Sequence, residues 1–375
     1  MTNQLVPADL LAKTDKILFV AHLALGDFTY MQNCFRAFSK AYPNIKIHLW
    51  VDELRRTPDE KEWEHLRKYS LYDWVNACDM FDKVYTQTYS PQLWEKSIQE
   101  AQGEHYPVVV SFAVHNRHRY VNLIRKISPR GFIVGQKKRV RLLDIRKHYI
   151  YSKLDAHIPA YKVTREQQAG QVDIPHISSI YTDWFHQLFN LTIPKSELFP
   201  FVTIPQQWHD YASQEIIDWE FNKDEKIVFV NSFSKSRDRT WPLERVFELI
   251  TEMKKRPEWS HVNFIVNVVP EKLDEARTIH AQFNLPAVKL FSAIDNFFQL
   301  PAMLSKCNLI ISVETAVMHL ANAVHVPVIA LMRLTSPEWV PINAEMTTLV
   351  KVSHRKAWID EITVDQVLAA LPALP

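Results

Sequence analysis

The sequence predicts an α/β protein made of two Rossmann-like halves, each a parallel sheet flanked by helices. Three observations carry that expectation. Short β-branched or aromatic runs alternate with longer segments of helical period, the pattern of repeated βα units. The alternation breaks at the polar, proline-marked stretch NLTIPKSELFPFVTIPQQWHD (190–210) and then restarts. A chain of 375 residues also exceeds the size at which one core usually keeps growing. The domains are therefore expected at 1–195 and 196–375. Two such halves make a cleft between the carboxyl ends of their sheets, where this architecture binds ligands.

In the first half, strands are expected at 17–22, 45–51, 83–86, 107–112 and 132–134, each a short apolar run bounded by polar or turn residues. The helix after Asp27 places Phe28, Met31, Phe35 and Phe38 on one face, spaced by three, four and three. Further helices fit 59–69, 91–102 and 174–189. In the second half, strands are expected at 227–233, 263–269, 288–291, 308–312 and 327–332. Helices fit 242–256, 271–283, 295–306, 315–324 and the amphipathic tail.

Composition narrows the function classes. A 47% hydrophobic, 23% charged chain has ample core, and a formal charge of +2 gives no global reason to expect nucleic acid. Cys34, Cys78 and Cys307 form no C-x-x-C pair and suit a reducing cytosol. The N-terminus MTNQLVPADLLAKTDK lacks an apolar core of signal-peptide length, and no run of about 18 apolar residues is present to span a membrane. The five glycines end at Gly170. Any phosphate site in the second half must therefore use a helix start and side chains.

One stretch is odd for a nucleotide-binding half. ILFVAHLALGDFTYM (17–31) runs from strand to helix through a loop with a single glycine, Gly26, and a carboxylate, Asp27, beside it. A diphosphate there would meet a negative charge. Asp27 reads either as a helix N-cap or as a functional base.

Three segments in register supply a context. ILFVAHLALGDFTYMQNCFRAFSKAYPNIKIHLWV resembles the opening of glycosyltransferase family 9, the lipopolysaccharide heptosyltransferases. RTWPLERV (239–246) is similar to that family's Lys-x-Trp-Pro segment. LIISVETAVMHLANAVHVPVIALMRLTSPEWV (309–340) resembles its other signature, a strand followed by Asp-Thr-Gly, a histidine four residues after the threonine, and a Thr-(Ser/Asp)-Pro turn. Their order and spacing match over most of the chain, about residues 16 to 372.

The resemblance implies a GT-B fold, with an acceptor-binding N-terminal domain and a nucleotide-sugar-binding C-terminal domain. It implies an inverting heptosyltransferase, most simply one moving heptose from ADP-heptose to a lipopolysaccharide core acceptor. Asp27 would then deprotonate the acceptor hydroxyl as it attacks the anomeric carbon. A helix N-terminus favours its anionic form by roughly 0.3–1 kcal/mol. Arg239 takes the place of the family lysine and would neutralise the departing diphosphate. In the loop before it, Ser232, Ser234 and Lys235 make a phosphate cradle or a solvated turn. Glu314, Thr315, Ala316 and His319 complete the donor site, with helix-start amides meeting an anion. Glu314 and Ala316 depart from the family's Asp and Gly, which bears on which nucleotide-sugar is used.

For the acceptor, the resemblance points to Gly26, His176 and the basic run QKKRVRLLDIRKH (136–148), through Lys137, Lys138, Arg139 and Arg141. That run reads as an anion or membrane-surface site, or as an ordinary solvated turn. The partners implied are a nucleotide-sugar and a lipid A-core saccharide at the inner face of the inner membrane. A cytoplasmic monomer is expected, without nucleic acid or cofactor. No Asp-x-Asp occurs, so no metal is expected at the diphosphate. Transfer of another sugar on the same scaffold, or a catalytically silent glycan- or protein-binding relative, are the alternatives.

Overall fold

The computed structural model describes residues 4–141, 143–161, 164, 167, 173–222 and 224–373. The chain divides into two compact units, Met1–Leu198 and Phe199–Pro375.

The first unit holds six parallel strands: β1 (Lys16–Ala21), β2 (Lys46–Val51), β3 (Lys83–Tyr85), β4 (Val108–Ser111), β5 (Phe132–Lys137) and β6 (Ala156–Pro159). Their spatial order is β3-β2-β1-β4-β5-β6. Residues Ile17 to Ala21 of β1 are all buried, as a central strand covered on both faces requires. Phe19 is the hub of the packing, with the rings of Phe35, Phe38, Phe112, Phe185 and Phe189 all within 6.1 Å of its own. The helix Leu25–Ala41 supplies Phe35 and Phe38 from the face that the spacing predicts, and its Phe28 and Met31 are buried too.

The second unit repeats the plan with β7 (Ile227–Asn231), β8 (Asn263–Asn267), β9 (Val288–Phe291), β10 (Leu309–Val313), β11 (Val328–Met332) and β12 (Thr347–Lys351). The order β12-β11-β10-β7-β8-β9 is the same sequence of crossovers. Both sheets are fully parallel. In each, the strand order reverses between the first and fourth strands, β1/β4 and β7/β10. Such a switch point leaves an open crevice at the carboxyl ends of the two strands.

Several elements differ from expectation. Strands β6 and β12 were not anticipated. Both are edge strands with one neighbour and open positions, so neither carries a continuous apolar run. The helices Ser70–Asn76, Arg117–Ile127 and Ile145–Tyr151 were likewise not anticipated, and 59–69 is a short 3₁₀ turn followed by the helix Trp63–Arg67. The stretch read as a connection contains the start of the helix Gln206–Asp218, which packs on the helix Gln299–Leu304.

Candidate active site

In the first unit the chain leaves β1 through His22 and enters the helix Leu25–Ala41 at Leu25, three residues earlier than expected. Gly26 and Asp27 therefore lie in the first helical turn, and the N-cap is Ala24. This corrects the reading of Asp27 as an N-cap. It stands at the third helical position and reaches back, its Oδ2 accepting the Ala24 N–H at 3.0 Å. Its Oδ1 accepts the Tyr181 hydroxyl at 2.7 Å. Tyr181 is buried in the helix Ile177–Phe189.

The Asp27 side chain keeps some exposure, yet burial of the carboxyl is the leading influence and raises its pKa above that of an ordinary aspartate. The Tyr181 and Ala24 hydrogen bonds oppose that shift, as do the nearby His22 and His115. Tyr69, whose hydroxyl donates to the Leu23 carbonyl at 3.1 Å, also feels the Asp27 charge. The result is an oriented carboxylate with enhanced basicity at the β1/β4 switch point.

A cavity of about 520 Å³ adjoins the other side of that switch point and includes His115. Its walls carry Arg117, His118, Lys138, Arg139, Arg141 and Lys147. The single carboxylate there, Asp144, is already paired with Lys147 at 2.6 Å. Burial first, then Lys147, Arg119 and Arg146, hold the His118 pKa below the usual histidine value. A cavity so lined selects anions. Of the basic run, Lys138, Arg139 and Arg141 face it, while Lys137 is exposed at the end of β5 and is not in its wall. His176 is the N-cap of the helix Ile177–Phe189. Its Nδ1 accepts the Ser178 N–H at 3.1 Å, which ties it to helix geometry.

In the second unit the β7/β10 switch point is stitched by amides and hydroxyls. Asn231 Nδ2 donates to Thr315 Oγ1 at 3.0 Å and Ser312 Oγ at 3.1 Å, while its own Oδ1 accepts Asn267 Nδ2 at 2.8 Å. Thr315 is the N-cap of the helix Ala316–Ala323, which places Ala316 at the first position and His319 one turn on. His319 is buried, 6.0 Å from the Trp339 ring. Glu314 is buried and faces Arg333, which follows β11: Oε1 accepts Nη2 at 3.2 Å and Oε2 accepts Nε at 3.3 Å. The same guanidinium donates to Asp238 in the loop after β7. One arginine therefore ties three loops at the carboxyl edge of the sheet.

Arg239 closes the 3₁₀ turn Arg237–Arg239, and its side chain makes no hydrogen bond among the described residues. Its position is fixed by Trp241, which is buried and donates from Nε1 to the Ile362 carbonyl at 2.8 Å and from its backbone N–H to Ser232 at 3.0 Å. Lys235 is exposed and Ser234 half-buried. Ser232 is buried, and its hydroxyl has no partner among the described residues. It therefore does not share the outward position of Ser234 and Lys235.

The profile of glycosyltransferase family 9 (heptosyltransferase) matches residues 155–362. The chain belongs to glycosyltransferase family 9. No curated protein matches it by sequence. Among solved structures, a family 9 glycosyl transferase from Veillonella parvula is 15% identical, with TM-score 0.71 over 95% of each chain. The E. coli ADP-heptose lps heptosyltransferase II is 14% identical, with TM-score 0.66 over 96% of this chain and 98% of that one. The E. coli heptosyltransferase WaaC with ADP is 14% identical, with TM-score 0.61 over 94% and 96%. The two six-stranded parallel sheets are those of the GT-B heptosyltransferase fold, and this family 9 chain is a glycosyltransferase.

Sequence reasoning missed Tyr181, Arg333, Asp238 and Asn231 in this family 9 chain. Asn231 and Arg333 did carry a signal, since each ends or directly follows a buried parallel strand, the position that feeds a switch-point crevice. Tyr181 carried none, lying within an ordinary amphipathic helix.

Proposed function

We propose that this chain is an inverting heptosyltransferase, moving heptose from ADP-heptose to a phosphorylated, lipid-linked core saccharide. The observation that carries the reading is the Asp27 carboxylate, oriented by Ala24 and Tyr181 and made more basic by burial. A single displacement needs one such base and no covalent nucleophile. Asp27 takes the proton of the acceptor hydroxyl as that oxygen attacks the anomeric carbon. The nucleoside diphosphate leaves from the opposite face with the bonding electron pair.

The second unit holds the donor in this reading. The amide end of the helix Ala316–Ala323 and the Arg239 guanidinium meet the diphosphate, and Arg239 offsets the charge that develops on departure. Glu314 does not face the anion as a free carboxylate, because Arg333 neutralises it. His319 lies one turn into the same helix and completes the donor side. The cationic cavity beside His115 takes the acceptor's phosphates or carboxylates, with Lys138, Arg139 and Arg141 in its wall. The E. coli WaaC structures, solved with ADP and with ADP-2-deoxy-2-fluoro heptose, support the choice of nucleotide. Among the described residues no helix is long and apolar enough to cross a membrane. Action on a lipid-linked acceptor then implies a peripheral place at the cytoplasmic membrane face.

Thermal melting with ADP-, UDP- and GDP-sugars tests the donor. A ligand present at a hundred times its Kd stabilises the folded state by about 2.7 kcal/mol. ADP-heptose is expected to raise the melting temperature more than UDP- or GDP-sugars. A larger shift with another nucleotide reassigns the donor, and no shift with any of them refutes a competent donor site.

A further inference from the structure

We propose that the exposed face around the helix Ile145–Tyr151 docks this protein on an anionic lipid surface. This deepens the reading above, since it names the surface from which a lipid-linked acceptor is taken.

The helix has two unlike sides. Ile150 and Tyr151 are buried and pack with Val121 in a small core of their own. Ile145 and Tyr149, one turn apart and hence on a common face, are 78% and 67% exposed. Leu143, just ahead of the N-cap Asp144, is 93% exposed. Three large apolar side chains thus stand in solvent within seven positions, an arrangement that marks an interaction site.

The charge around them identifies the partner. Lys137, Lys138, Arg139, Arg141, Arg146 and Lys147 are all exposed, and the Lys153 ammonium lies 5.2 Å from the Tyr149 ring. Asp144 is the one acid from 137 to 149, and it is paired with Lys147. A protein partner with an apolar surface has no use for so many cations, and a nucleic acid has little use for Leu143 and Ile145. A bilayer with anionic headgroups satisfies both: apolar side chains enter the headgroup–acyl boundary and cations meet the phosphates. Tyrosine, apolar in body and polar at its tip, suits that boundary. Lys138, Arg139, Arg141 and Lys147 also line the 520 Å³ cavity, so an acceptor headgroup lifted from the membrane meets that cavity first.

The test is co-sedimentation of the full chain with phosphatidylcholine vesicles, with and without phosphatidylglycerol, at low and high salt. Binding to the phosphatidylglycerol vesicles, weakened by salt, is expected. The triple variant Leu143→Ser/Ile145→Ser/Tyr149→Ser should melt like wild type yet partition at least about tenfold less, given the apolar groups removed. Its turnover of a deacylated, water-soluble acceptor should be unchanged. Equal partition of the triple variant overturns the apolar contact. No vesicle binding, or binding to an oligonucleotide in place of vesicles, overturns the proposal. Vesicle binding needs neither donor nor acceptor, so its failure is separate from a failure of the glycosyl-transfer reading, which Asp27→Asn decides.

Discussion

The Tyr181 hydroxyl donates a 2.7 Å hydrogen bond to Asp27 Oδ1 and joins two helices 154 residues apart in sequence. With the Ala24 N–H on Oδ2, it fixes both oxygens of the carboxylate that emerges from β1. An isolated aspartate in a first helical turn swings freely. This one is held on two sides, the constraint that its proposed role as a base requires.

Asp27→Asn keeps the size of the side chain and removes its basicity. Transfer is expected to fall by roughly 10²–10⁴ in kcat, with donor Kd unchanged. Steady-state kinetics beside donor calorimetry decide it, and near-normal turnover would leave Asp27 a structural residue.

Tyr181→Phe tests the orientation and tuning of that carboxylate. The base works deprotonated, so activity is lost as pH falls through the Asp27 pKa. Burial raises that pKa and the Tyr181 hydrogen bond lowers it. Removing the hydroxyl should therefore move the acid limb of kcat/KM to higher pH. A fall in kcat with an unmoved limb would show that Tyr181 serves packing alone.

Arg333→Ala leaves the buried Glu314 carboxylate without its cation and frees Asp238. Breaking one side of a buried pair costs about 3–5 kcal/mol, and the lower end is expected here because Asp238 keeps partial exposure. Urea unfolding should show the loss. Glu314→Gln/Arg333→Gln should recover part of it, and no recovery would mean that Arg333 acts through packing.

Ala316 opens the helix Ala316–Ala323. If its backbone meets the diphosphate, Ala316→Gly should bind donor as well as wild type or better. Ala316→Val should weaken binding by about 1 kcal/mol or more by crowding a close contact. Calorimetry of both variants checks this, and wild-type affinity in Ala316→Val would move the diphosphate elsewhere.

Transfer is expected to survive EDTA. The chain contains no Asp-x-Asp, and in the proposed function Arg239 is the cation that meets the leaving diphosphate. Activity lost to EDTA and restored by Mg²⁺ or Mn²⁺ would overturn that assignment. Arg239→Ala should lower kcat more than it raises donor Kd.

Much of this architecture was legible locally. The Phe28–Met31–Phe35–Phe38 spacing announced a buried helical face, and the buried strands announced themselves as apolar runs. The helix start was misplaced by three residues. Ala24 has no capping side chain, and the cap is supplied from inside the helix by Asp27.

The same contrast runs through both candidate sites. Residue pattern placed Asp27, Arg239 and Thr315 just beyond the strands they follow, because period and burial are imprinted on neighbouring residues. It said nothing of Tyr181 on Asp27, of Arg333 between Glu314 and Asp238, or of Asn231 on Thr315. Those partners lie 154, 19, 95 and 84 residues apart. Tyr181 reaches Asp27 because the helices Leu25–Ala41 and Ile177–Phe189 pack together. Asn231 and Asp238 reach Thr315 and Arg333 because the strand order turns between β7 and β10 and brings distant loops to one edge of the sheet. A side chain held that way is selected by the crossing of strands and by the burial of its partner, and neither is written in the residues beside it.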